Sequence, residues 1–167
     1  MRVLFAGLFG AGVLYLATAG GDSKEAAARV CHLDLRRGVL PEWSRGGFSD
    51  PVPRMPYALG RSREIVAIVF GDPLFWPPSE KRNNNILWVS GRPVTAPSDL
   101  RIRAQRMEGE RNVDRPVLRV VDGGPGPSIV ALPRAGCCRL TLSWSGRQDT
   151  VDLRYVRRAR LRERGRA

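Results

Sequence analysis

A chain of 167 residues, 43% apolar and 26% charged, is long enough to bury one core unaided, which excludes any need of a cofactor to hold the fold. Its net charge is +12, and only Lys24 and Lys81 of its 28 basic residues are lysine, leaving 26 arginines. They are scattered along the whole chain, so they read first as the codon preference of a GC-rich genome and second as a surface for polyanions.

The first 19 residues set the compartment. Met1-Arg2 is a minimal basic start, Val3 to Leu16 is an apolar run broken only by glycines, and Ala17-Thr18-Ala19 offers a small-x-small cleavage site. The run is shorter than the roughly 20 residues a bilayer requires. Residues 1–19 are therefore expected to be a signal peptide, with an uncleaved anchor as the alternative. Either one makes the rest secreted or cell-envelope. Nucleic acid is a poor partner for an exported chain despite its charge.

Asp22-Ser23-Lys24-Glu25 is a capping box for a short helix through Ala28. From Arg36 to Ser62, four prolines and four glycines predict an extended, irregular stretch, so 20–62 is expected to be a lead-in to the domain. From 63 to 156 short β-type runs alternate with turn signals. They are Glu64–Phe70, Asn85–Val89, Leu100 to Ala104, Val117–Val121, Ser128–Leu132, Cys138–Trp144 and Val151–Tyr155. Seven short strands without a long helix predict an all-β, two-sheet sandwich of the immunoglobulin-like kind, its last two strands forming a hairpin. The arginine-rich tail, 157–167, reads as a solvated terminus.

Several strings in this stretch occur together. They are Leu40-Pro41-Glu42-Trp43 with Gly47-Phe48-Ser49, Ile65-Val66-Ala67-Ile68, Phe70-Gly71-Asp72-Pro73-Leu74, Asn85-Ile86-Leu87-Trp88-Val89-Ser90, Gly124-Pro125-Gly126-Pro127-Ser128-Ile129-Val130 and Pro133-Arg134-Ala135-Gly136-Cys137. Over about 40–156 the chain resembles a family of uncharacterised exported proteins of GC-rich bacteria. The resemblance implies an immunoglobulin-like domain behind a signal peptide or anchor, and brings no activity with it. The family's Gly-Cys-Trp stands here as Gly136-Cys137-Cys138.

No metal motif fits Cys31-His32 and Cys137-Cys138, and neither a phosphate loop nor a nucleophile elbow is present. His32, the only histidine, lies upstream of the sandwich, so an enzyme is not expected. Candidate binding residues are the aromatics Phe75 and Trp76 in a proline-rich loop, and Arg101, Arg103 and Arg119, expected to share one exposed sheet face. Trp43 and Phe48 are expected in the core. Strand parity turns Cys138 inward and Cys137 outward. Cys137 also matches the family's cysteine, so the expected disulfide is Cys31–Cys137, with Cys31–Cys138 as the alternative. The functional expectation is a non-catalytic extracytoplasmic binding or accessory module with an unknown protein or cell-envelope partner. The alternative is an electrostatic binder of anionic polymer or lipid headgroups.

Overall fold

The computed structural model describes residues 35–79 and 83–158. Two sheets pack face to face. The first is β1 (Leu35–Val39), β2 (Arg54–Leu59), β3 (Ile65–Val69), β5 (Asn85–Ser90) and β9 (Pro127–Ile129), in that spatial order. The second is β4 (Leu74–Trp76), β11 (Arg147–Arg157), β10 (Gly136–Trp144), β6 (Leu100–Glu108) and β7 (Arg111–Asn112), with β8 (Val117–Val121) also pairing β6. Neighbouring strands are antiparallel throughout, apart from the parallel pair β4–β11. This is the expected all-β sandwich, with eleven strands among the described residues where seven were predicted.

The main core lies between the sheets. Period-two alternation puts Leu100, Ile102 and Ala104 of β6 on the inner face with Cys138, Leu140, Leu142 and Trp144 of β10. They meet Ile65, Ala67 and Val69 of β3 and Ile86 and Trp88 of β5. The predicted hairpin closes at Ser145-Gly146, where both residues have positive φ (46° and 70°), the backbone that a tight two-residue hairpin turn requires.

The region read as an irregular lead-in contributes two strands and a cover. β3 is buried on both faces because the chain between β1 and β2, with a 3-10 turn at Glu42–Ser44, lays Leu40 and Phe48 over Val66 and Ile68. Its prolines hid β2. The β2–β3 ladder begins at Tyr57, just past Pro56, whose missing N–H makes it a poor strand signal. Phe48 packs as expected. Trp43 does not enter the core; it is 41% exposed and lies flat against Gly91, where a methyl group would meet its ring at 3.2 Å.

Two aspartates are structural. Asp149, 3% exposed, accepts hydrogen bonds from the backbone N–H groups of Ser62, Thr150 and Glu64, tying β11 to the β2–β3 turn. Asp152, 2% exposed, accepts both arms of the Arg139 guanidinium at 2.9 and 2.8 Å and a third bond from Arg61 at 3.0 Å.

Candidate functional site

The outward face of the second sheet carries the candidate groups. In β6 the residues alternating with the core set are Arg101, Arg103, Gln105 and Met107. Across from them on β8, Leu118 pairs Arg103 and Val120 pairs Arg101. Cross-strand partners share a face, so the β6–β8 margin presents two guanidinium groups interleaved with two aliphatic side chains. Leu118 is 66% and Val120 56% exposed. Arg119 pairs Ile102 and so belongs to the opposite face. It reaches solvent at the sheet margin, its guanidinium donating to the Leu118 carbonyl at 2.8 Å. The expected three-arginine stripe is corrected to Arg101 and Arg103, because the apolar run Val117-Leu118 and Val120-Val121 shows no alternation from which register can be read.

Ion pairing separates these two arginines from many others. Arg61 and Arg139 are held by Asp152, Arg92 and Arg147 by Glu64, Arg106 by Asp114 and Glu108, and Arg37 by Asp72. No carboxylate pairs with Arg101 or Arg103 among the described residues. Beside Arg101 the face runs into an open groove of about 170 Å³ between the start of β6 and the β10–β11 turn, lined in part by Ser143, Trp144 and Arg147.

Phe75 and Trp76 sit at the other edge of this sheet, on β4, so the structure does not join them to the arginines. They are half-buried and fixed. The Asn84 side-chain amide donates to the Phe75 carbonyl at 2.9 Å, and its oxygen accepts from the Phe75 N–H at 2.8 Å. The Trp76 carbonyl accepts from the Arg158 N–H, and the Arg157 guanidinium lies over the indole, 5.7 Å from its centroid. The rigid proline loop expected here is a short edge strand pairing in parallel with the end of β11.

Cys138 is a free thiol in the main core. Its neighbour Cys137 faces the other way, forms a small buried cluster with Met107, and is not a free thiol. No disulfide joins two described residues, and Cys31 lies outside them. The alternative pairing through Cys138 is overturned, since that side chain is packed inward. Burial pushes the Cys138 thiol up to about 12. At pH 8 its thiolate fraction is then on the order of 10⁻⁴. A maleimide or disulfide reagent should therefore leave it unmodified in the native protein and react fully in guanidinium. Rapid native labelling of Cys138 would contradict this packing.

The described residues hold no cluster of three or more metal-ligating side chains and no helix long and apolar enough to cross a membrane. Residues 1–19, expected to be a signal peptide, the stretch 22–28 expected to be a short helix, and residues 159–167 of the tail lie outside the described residues. No family model, no curated protein and no solved structure matches the chain.

Proposed function

We propose that the chain is a non-catalytic extracytoplasmic binding module, an immunoglobulin-like sandwich that meets an anionic lipid surface with the outward β6–β8 margin. The reading rests on one observation, the pairing of Arg101 with Val120 and of Arg103 with Leu118 on an exposed margin where, among the described residues, neither guanidinium is held in an ion pair. Unpaired guanidinium groups match lipid phosphates, and the aliphatic pair between them suits the headgroup–acyl boundary. A soluble anionic polymer offers no such boundary, so the aliphatic pair favours a lipid surface over the polymer reading. The apolar start of the chain, read as a signal peptide or anchor, supports delivery to the cell envelope.

Vesicles containing phosphatidylglycerol should sediment the protein, and vesicles of phosphatidylcholine alone should not. At roughly 1 kcal/mol per surface arginine, the double substitution Arg101→Gln, Arg103→Gln should weaken binding by about tenfold or more, with unchanged circular dichroism. Added salt should weaken the wild type in the same direction. Leu118→Ser with Val120→Ser should weaken vesicle binding but leave binding to heparin intact. If the arginine variant binds vesicles like the wild type, this margin is not the contact surface.

A further inference from the structure

One row of the second sheet's outward face carries three kinds of side chain in a fixed order. Val120 on β8 pairs Arg101 on β6, and Arg101 pairs Ser143 on β10. Cross-strand partners share a face, so across three strands the row runs aliphatic, cationic, hydroxyl. Val120 and Arg101 are exposed and Ser143 is half-buried. The groove of about 170 Å³ opens on the Ser143 side of Arg101, and Val120 takes no part in it. Its walls include Asp99, two residues ahead of Arg101, and Ser145 of the β10–β11 turn.

These groups keep unused hydrogen-bonding capacity. The Asp99 Oδ1 accepts from the Gly123 N–H at 3.0 Å, and its Oδ2 has no bond among the described residues. The Ser145 Oγ accepts from the Thr95 N–H at 3.0 Å, which leaves its hydroxyl proton to donate. The groove therefore offers a carboxylate acceptor and two hydroxyls beside a guanidinium that no ion pair holds among the described residues. A ligand with a second negative charge beyond its phosphate would meet repulsion from Asp99. A ligand with neutral hydroxyls there would meet an acceptor and donors instead.

We propose that this groove selects the headgroup of the lipid surface. It takes a phosphodiester that carries a polyol, with the phosphate on Arg101 and the polyol hydroxyls on Asp99 and Ser143. This selectivity rests on the lipid reading of the β6–β8 margin and gives that reading a headgroup. The order of the row is the order of the molecule: the acyl boundary over Val120, the phosphate at Arg101, the polyol over Ser143. Phosphatidylglycerol and phosphatidylinositol match it. Phosphatidylethanol, with the same charge and no hydroxyl, does not.

The test compares phosphatidylcholine vesicles carrying phosphatidylglycerol with vesicles carrying phosphatidylethanol at equal mole fraction, so that only the hydroxyls differ. The full-length protein should bind the phosphatidylglycerol vesicles about five- to tenfold more tightly, the scale of one hydrogen bond to a charged acceptor. Added salt should weaken both and leave the ratio, because screening acts on the shared charge. Asp99→Ala should erase the ratio and strengthen phosphatidylethanol binding slightly, since a like charge near the phosphate is gone. Asp99→Asn keeps an oxygen for the Gly123 N–H and should lower the ratio by about threefold or more. An equal loss on both lipids in Asp99→Ala would mark Asp99 as structural and overturn its role. Equal binding of both lipids by the wild type, with both still weakened by Arg101→Gln, Arg103→Gln, would overturn the headgroup selection and leave the lipid reading intact. If neither vesicle binds, the lipid reading falls, and the soluble headgroup glycerophosphoglycerol decides the groove by NMR. Amide shifts at Ser143 and Ser145 that Asp99→Ala abolishes would support the groove and make its ligand a free polyol phosphate. Their absence would overturn the groove as well.

Discussion

Asp149→Ala should destabilise the sandwich by about 3 kcal/mol, seen as a fall in the urea midpoint of roughly 1–2 M. The carboxylate is 3% exposed and faces three backbone N–H groups, Ser62 and Thr150 on one oxygen and Glu64 on the other. A hydrogen bond to a charged acceptor contributes about 1.5–3 kcal/mol, and a buried donor left without a partner adds a desolvation cost of its own. Water can reach part of the gap, because Ser62 is exposed and Glu64 half-buried, so the sum falls well short of three full bonds. The fit extends to Gly60, where a methyl group would stand 2.1 Å from the Asp149 Oδ2. Gly60→Ala should therefore destabilise on its own. In an Asp149→Ala background it should cost clearly less, because the clashing oxygen is gone. Strict additivity of the two substitutions, or an Asp149→Ala cost below about 1 kcal/mol, would show that the turn does not depend on this carboxylate.

Legibility in the sequence followed how local each signal was. The alternation of Cys138, Leu140, Leu142 and Trp144 with polar residues identified β10 and its inner face, because one side of that strand is buried along its length. The same logic placed Arg101 and Arg103 outward. It failed for Arg119, whose face is decided by pairing with Ile102 across the sheet, information that a run of valines and a leucine does not carry. It failed for β4, whose three residues form a strand only because the end of β11, some 80 positions later, lies alongside. It failed for β1 and β2 because their prolines and glycines weaken the local strand signal. Prolines at strand margins are tolerated, and β3, apolar on both faces, needed a cover that only the preceding chain could supply. The burial of Asp149 and Asp152 was not legible either, since donors that complete their shells, Ser62 and Glu64 for Asp149 and Arg61 for Asp152, come from 85 to 91 residues away.

The largest single loss should come from Trp88→Ala, about 3–5 kcal/mol, enough to unfold a domain of ordinary stability at moderate temperature. Trp88 is 1% exposed at the centre of β5, pairs Ala67 of β3, and packs into the inter-sheet core with the facing strands β6 and β10. A small partner on β3 leaves room for the indole, and removing the indole leaves a void that the rigid sheets cannot close. Its N–H donates to the Ser128 hydroxyl at 2.8 Å, which ties β5 to the edge strand β9. These contributions can be separated. Ser128→Ala removes only the hydrogen bond and should cost about 1 kcal/mol, since the indole N–H is then left unsatisfied. Trp88→Phe keeps much of the volume and should fall between the two. In the Trp88→Phe background, Ser128→Ala should cost almost nothing, because no donor remains to miss it. Urea unfolding of the four variants, with unchanged slope, gives each number. If Trp88→Ala proved no more costly than Ser128→Ala, the indole would matter as a hydrogen-bond donor alone, and the two sheets would not depend on it for packing.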